Sequence, residues 1–264
     1  MDKLITDKLI TDNLMTKKTG DNEKIKQDYL LLIMNCVKYR KKALIQKSDW
    51  LQRIPSYLKY YHVIGNEKME KDFVIDEEER IIWVKAKDDY NSLPSKVMAA
   101  FSAIQQTHTF KYIFKSDDSV LLHNPSTMLH MSSGDSQETS ACKQAYIPSK
   151  NDKFFDTIIG VITRMTPKVH YGGKIVNVEI PYMSKYYLLH PELPKDMIIQ
   201  STKYCTGSLY FLSSEAVTNL LSKRESVCKE YLEDYAVGLN LHPFFKKIML
   251  PISTDKYFKE LEEW

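Results

Sequence analysis

The sequence predicts an α/β fold, and three observations carry that expectation. Tyr29-Leu30-Leu31-Leu32-Ile33-Met34 is apolar throughout, the pattern of a parallel strand covered on both faces. Strand-like runs alternate with helix-like ones through the N-terminal half. Finally, the stretch from Phe110 to Leu122 runs through the aromatic and β-branched Tyr112-Ile113-Phe114 and then presents Ser116-Asp117-Asp118-Ser119. Ligands of open α/β sheets bind beyond the carboxyl ends of strands, which is where these acids fall.

Taken in order, the chain opens with three tandem pentapeptides, Asp2–Thr6, Asp7–Thr11 and Asp12–Thr16. A five-residue period matches neither a helix face nor strand alternation. Residues 1–27 are therefore expected to form a mobile tail, with partner binding as the other reading, and 28–264 a single domain. Arg40 to Leu58 is basic, with Leu44, Leu51 and Ile54 at helical spacing, and Tyr60–Gly65 reads as a second strand. Arg80–Val84 suits a third strand, and Leu93–Ile104, with Val97, Ala100 and Ile104 on one face, a helix leading into the Asp-Asp strand.

The polar stretch Asn124–Lys153 is expected to be a long loop or lid. Tyr171–Val178 alternates as a strand, and the tyrosine-dense Tyr182–Tyr187 either stacks on sugars and bases or packs. Tyr204–Leu212 predicts a turn entering a strand, with Gly207 allowing a close backbone approach, and Ser213 caps the next helix. Glu233-Asp234 opens another helix, where acids favour the macrodipole by only ~0.3–1 kcal/mol. Beyond Pro243 the chain reads as short, polar and basic.

The totals exclude several functions. With 37 Lys plus Arg against 34 Asp plus Glu, charges of both signs are interspersed, so no basic stripe for nucleic acid is present. The four cysteines form no Cys-x-x-Cys pair, which disfavours a zinc site or disulfide framework and suits a reducing compartment. No apolar run approaches the ~18 residues of a membrane span. The expectation is a soluble, cytoplasmic protein.

Asp117 and Asp118 admit two readings. Adjacent carboxylates repel unless a cation lies between them, and Mg²⁺ or Mn²⁺ held there keeps room for phosphate oxygens. The alternative is a polar turn whose short side chains bond their own backbone.

Several motifs recur in a fixed order. Lys47-Ser48-Asp49-Trp50 ends the basic segment and Val63-Ile64-Gly65 the second strand. Then come Asp88-Asp89-Tyr90-Asn91-Ser92-Leu93-Pro94-Ser95-Lys96 and Lys115-Ser116-Asp117-Asp118-Ser119-Val120. Tyr204-Cys205-Thr206-Gly207-Ser208-Leu209-Tyr210-Phe211-Leu212-Ser213 and Glu233-Asp234-Tyr235-Ala236-Val237-Gly238 complete the set. This order, across residues 29–240, resembles the inverting β-1,3-glycosyltransferases, the family of β-1,3-galactosyltransferases, β-1,3-N-acetylglucosaminyltransferases and Fringe. The resemblance implies a GT-A fold, Rossmann-like with a mixed central sheet. It implies a UDP-sugar donor, Mn²⁺ or Mg²⁺, and a glycan, glycoprotein or small-molecule acceptor.

By the same resemblance Asp234 occupies the position of the catalytic base, with Glu233 supporting it. Asp117, Asp118 and Ser119 fall at the metal motif, and His242 is the histidine available as a distal ligand. Donor contacts would come from Asp88, Lys96, Asp117, Asp118, Tyr204, Gly207 and Ser208. Ser119 replaces a family carboxylate, and a neutral hydroxyl binds a divalent ion less well. That departure motivates a rival expectation, a non-catalytic nucleotide- or carbohydrate-binding relative. Phosphoryl or nucleotidyl transfer is disfavoured because no Gly-rich phosphate loop is present.

Overall fold

The structure is a computed structural model and describes residues 23–122 and 154–260. The pentapeptide repeats and the Asn124–Lys153 stretch lie outside the described residues. Ile25–Lys26 pair in parallel with His108–Thr109, so the last part of the expected tail joins the fold.

Strand β1 covers Tyr29–Met34, as the apolar run predicts, and every residue in it is buried. Helix α1, Arg40–Ser48, is shorter than the periodicity suggests. The chain leaves it for a 3₁₀ turn, Trp50–Arg53, and Ile54 is extended because Pro55 follows. The early break buries Trp50 against Phe155 and Phe258, at ring distances of 6.3 and 6.2 Å. Next come β2 (Leu58–Gly65), the edge strand β3 (Phe73–Asp76) and β4 (Ile81–Val84). Helix α2 spans Leu93–Thr107, with Pro94 in its first turn, where a missing N–H costs nothing.

Strand β5, Tyr112–Asp117, carries the first acid to its end, and β6 follows at Val120–Leu122. Then come α3 (Phe154–Arg164), β7 (Tyr171–Val178) and β8 (Thr202–Ser213). Helix α4, Ser214–Ser222, begins at the expected cap: the Ser213 side chain accepts from the Ala216 N–H. Helix α5 is Glu233–Asn240. The C-terminal stretch, expected to be polar, instead forms β9 (Met249–Pro251) and β10 (Phe258–Glu260), and Leu250, Ile252, Tyr257 and Phe258 are buried.

One eight-stranded sheet holds the described residues together, in the order β9-β7-β8-β5-β1-β2-β4-β3. It is mixed. β1 runs parallel to both β2 and β5, and β2 parallel to β4, whereas β8 is antiparallel to β5 and β7. Strand β10 pairs antiparallel with β6 outside this sheet.

Side-chain alternation along β1 builds two cores. Leu30 and Leu32 pack with Val97, Phe101 and Ile104 of α2 and Ala236 and Val237 of α5. Leu31 and Ile33 pack with Trp50, Phe155 and Ile158 on the other face. Each fully buried aliphatic or aromatic side chain stabilises the fold by roughly 1.5–3 kcal/mol.

Candidate active site

From β1 the chain steps outward through β2 and β4, and α2 then returns it to β5 on the opposite side of β1. The strand order therefore reverses between β1 and β5, and the crevice at their carboxyl ends is the favoured ligand position in such sheets. Met34 and Asp117 lie in register at that point. A cavity of about 600 Å³ opens there. Its walls include Asn35 and Lys42 from the β1–α1 side, Lys115, Asp117 and Asp118 from β5 and its turn, and Glu233 and Asp234 from α5.

Lys115 is the centre of the charge arrangement. Only 1% of its side chain is exposed, yet its ammonium lies 2.6 Å from Asp117 Oδ1 and 2.6 Å from Glu233 Oε2. It also donates to the Gly207 carbonyl at 3.2 Å. Burial works against its charge, but the two carboxylates outweigh that and hold the ammonium above its usual value. Tyr210, opposite Lys115 in the β5–β8 ladder, donates its hydroxyl to Glu233 Oε1. Both Glu233 oxygens are thereby occupied.

Helix α5 reaches this cluster because it lies directly on β8. A Cβ at Gly238 would fall 2.2 Å from the Tyr204 Cβ, so only glycine permits the contact. Gly207 sits where the β7–β8 register shifts, between Cys205 and Tyr210. A Cβ there would lie 2.9 Å from Asp117 Oδ2 and 3.2 Å from Lys115 Nζ. The close approach expected of Gly207 is thus to the acid cluster itself, and its N–H donates to Asp234 Oδ2 at 3.0 Å.

Asp234 Oδ1 accepts from the Tyr235 N–H at 2.7 Å. Burial, reinforced by Glu233 and opposed by Lys115, pushes the Asp234 carboxyl up to about 6. Asp118 is also pushed up to about 6, by burial first, with Lys42 opposing and Asp117 adding. Lys42 Nζ stands 4.0 Å from Asp118 Oδ1.

The galactosyltransferase family model matches residues 40–244, more than three-quarters of the chain, including Lys42, Lys115, Asp117, Asp118, Glu233 and Asp234 of this constellation. The chain belongs to the galactosyltransferase family. No curated protein matches it. Membership supports glycosyl transfer between a sugar donor and an acceptor, and the mixed central sheet is consistent with a GT-A-like glycosyltransferase fold. Among the described residues no helix is long and apolar enough to cross a membrane.

Within this galactosyltransferase-family fold the nominated residues separate into groups. Asp117, Asp118, Ser119, Gly207, Glu233 and Asp234 all border the cavity. Asp88 and Lys96 border it too, but their polar atoms are committed. Asp88 Oδ1 accepts from Lys96 Nζ and the Gly65 N–H, each at 2.9 Å, and Oδ2 from the Val37 N–H at 2.8 Å. Lys96 also donates to the Asn35 carbonyl at 2.7 Å. The pair fastens the loops after β1 and β2 and shapes the cavity floor.

Tyr204, Ser208 and His242 are not among the residues that border the cavity. Tyr204 packs edge-on against Tyr235 at 6.0 Å and under Gly238. Ser208 is taken into the strand, where its carbonyl accepts from Ser116 at 2.9 Å. His242 is fixed at a 3₁₀ turn, its N–H donating to Asn219 Oδ1 and its Nδ1 accepting from the Phe244 N–H.

The fit to a divalent cation can be tested on the donor set. No group of three His, Cys, Asp or Glu suited to a metal occurs among the described residues. Asp117 Oδ1 is engaged by Lys115, which leaves Oδ2, and Asp118 supplies a second carboxylate. Two carboxylates fit an ion that takes its remaining oxygens from phosphates and water, as Mg²⁺ commonly does.

Sequence reasoning missed the rim formed by His190 and Glu192. His190 stacks on Tyr90, at 4.1 Å and 8° between planes, and on Tyr186 at 6.4 Å and 15°. The tyrosine-dense stretch therefore joins the site through Tyr186. Lys115 was also unassigned, although a lysine inside an apolar strand is a readable signal, since buried charges are almost always paired.

Proposed function

We propose that the chain is an inverting, UDP-sugar-dependent glycosyltransferase that moves a hexose or N-acetylhexosamine onto an acceptor hydroxyl. Asp234 carries this reading: its carboxylate borders the cavity at the start of α5, and burial and Glu233 push it up to about 6. A base in that range is ionised at neutral pH yet still binds a proton usefully. Each Asp234 oxygen accepts one backbone N–H and keeps a second lone pair.

In the proposed step, Asp234 accepts the acceptor's hydroxyl proton as that oxygen attacks the anomeric carbon. The bond from this carbon to the diphosphate oxygen breaks, the electron pair leaves with UDP, and an α-linked donor gives a β-glycoside. Glu233 acts through its bonds to Lys115 and Tyr210, which hold the start of α5 against β5 and β8. Asp117 and Asp118 would hold Mn²⁺ or Mg²⁺ with the donor diphosphate, and such an ion acts as a Lewis acid on the leaving group.

The decisive experiment measures acceptor-dependent UDP release across a panel of UDP-sugars and simple glycosides, for the native protein and Asp234→Asn. Transfer by the native protein and its loss in the variant, with UDP affinity retained, is the expected result. Turnover in Asp234→Asn equal to the native rate removes the assignment. UDP binding with no turnover on any donor favours the non-catalytic relative.

A further inference from the structure

Seven of the fourteen large apolar side chains exposed among the described residues fall within residues 180–198. The backbone there is well anchored. Tyr182–Met183 pair antiparallel with Ile198–Ile199, and Leu193 and Ile199 are buried beside Tyr187, Leu232 and Tyr235. A ribbon packed on one face ordinarily turns polar residues to water on the other, but here Met183 and Ile198 are partners across the ribbon and both are exposed. Between the two strands Leu188 is 67% and Leu189 77% exposed. Apolar side chains gathered in this way mark an interaction surface, whereas scattered ones do not. The inner edge of the patch is the cavity rim, because Leu189 adjoins His190, which stacks on Tyr90. Tyr90 follows closely on Asp88, whose Oδ2 accepts from the Val37 N–H at 2.8 Å, so the loop 88–90 bridges the ribbon and the start of α1.

The neighbouring side of the rim is basic. Between Tyr29 and Ser48 the chain carries five cations and no acid, a local excess that the near-balanced total conceals. Lys42 and Lys47 turn to Asp118 and Glu79, while Arg40 and Lys41 are exposed and form no ion pair among the described residues. They share the outer face of α1 with the exposed Leu44 and Ile45, one turn further on. Within 180–198 the charges balance, Lys185 and Lys195 against Glu192 and Asp196, so the positive excess comes from α1.

We propose that this rim, the ribbon 182–199 together with the outer face of α1, docks on an anionic lipid bilayer and turns the cavity mouth toward the membrane. The aliphatic side chains enter the boundary between headgroups and acyl chains, and the cations meet headgroup phosphates. Charge and apolarity together select this occupant. Nucleic acid would attract the cations but offers nothing for Met183, Leu188 and Leu189 to enter, and a second copy on a two-fold axis sets the patch, cations included, against itself. The inference concerns the surface and holds whichever reaction the cavity carries.

The test is sedimentation of the full-length protein with vesicles of phosphatidylcholine, alone or with about one-third phosphatidylserine, at low and high salt. Native protein is compared with Leu188→Ser/Leu189→Ser, Arg40→Gln/Lys41→Gln and Ile25→Ser, and each is also followed by thermal melting and light scattering. Ile25 is an exposed apolar residue that precedes β1, at the end of the sheet away from the cavity, so it controls for lost apolar surface. The native protein is expected to bind the anionic vesicles, less so in high salt. Partition should fall at least about tenfold in the leucine pair and about tenfold in the charge pair, while Ile25→Ser behaves as native. All three variants should melt as native, because the altered side chains are exposed. Absence of the native protein from the anionic vesicle pellet overturns the proposal, as does binding that the leucine pair leaves unchanged, which is attraction to any polyanion. A lowered melting temperature in Leu188→Ser/Leu189→Ser shows that the chain's own residues cover the patch, and a native dimer dissolved by that variant shows a second copy there; either result overturns the docking. None of these readouts uses turnover, so failure here leaves the glycosyltransferase reading standing.

Discussion

Two pairs of neighbouring acids, Asp117-Asp118 and Glu233-Asp234, lie on either side of Lys115 and have the same internal design. In each pair one member is fastened to the Lys115 ammonium at 2.6 Å, Asp117 in the first and Glu233 in the second. In each, the other member is buried enough to be pushed up to about 6. Their surroundings differ. Asp118 faces a cation, Lys42, whereas Asp234 is held by two backbone N–H groups and lies near Tyr90, Tyr186 and Tyr204, whose phenols its charge pushes up after burial has done so. A raised carboxyl does not by itself define a base. Asp118 therefore lies on the charged side of the cavity and Asp234 on its aromatic side, which on the proposed reading receive the donor diphosphate and the acceptor hydroxyl.

The largest effect expected from breaking this contrast is on turnover. Asp234→Asn should lower kcat by about 10²–10⁴-fold, the usual contribution of a general base, while UDP affinity changes little. Asp118→Asn should do the reverse, weakening metal-dependent UDP binding first. Kinetics and calorimetry on the two variants read the difference directly. If both variants lose UDP binding equally, the two pairs do not divide the work.

Next in size is the lysine that both pairs share. Lys115→Met leaves the buried Glu233 carboxylate, and the part-exposed Asp117, without their cation and should destabilise the fold by about 3–5 kcal/mol. Denaturant titration checks this, and a loss below about 1 kcal/mol would mean the acids find other partners. Lys115→Arg is not a conservative replacement, because the compact ammonium meets Asp117, Glu233 and the Gly207 carbonyl from one point, which a planar fork on a longer side chain does not reproduce.

A smaller effect comes from pH. Asp234 must be ionised to accept a proton, and its carboxyl is raised to about 6, so kcat should rise with pH through about 6 and level off above it. Well below that point it should fall about tenfold per unit. Glu233→Gln removes the neighbouring charge that helps to raise Asp234, so the midpoint should move to lower pH. A midpoint that stays in place would show that burial alone sets it.

Which of these groups could be read from the sequence follows from how local their causes are. β1, β5 and the Ser213 cap were legible because an apolar run and a capping hydroxyl act within a few residues of themselves. The two acid pairs were legible as doublets, and Asp234 was singled out by resemblance. Long-range partners were not. Whether Lys115 meets Asp117 or Glu233 depends on α5 settling on β8 through Gly238, a contact across 34 residues of chain between Tyr204 and Gly238. α3 and the C-terminal strands were missed because their apolar residues bury against Trp50 and Phe114, partners far away in sequence. Tyr204 and Ser208 sat in the right motif, but the residues they reach are set by the β7–β8 ladder, which no motif records.

The smallest effect sharpens the aromatic side of the comparison. Tyr186 is 44% exposed and stacks on His190, which in turn stacks on Tyr90 at the cavity rim. Removing this ring should cost only the stacking and apolar contact it offers an acceptor, so Tyr186→Ala is expected to raise the acceptor KM about 2–10-fold. Stability should hardly move, because the ring is an outer layer of the stack. UDP affinity should be unaffected. Initial-rate measurements with the acceptor varied at saturating donor separate these outcomes. A change in UDP affinity instead would place Tyr186 on the nucleotide side, and the contrast between the Asp118 and Asp234 sides of the cavity would have to be redrawn.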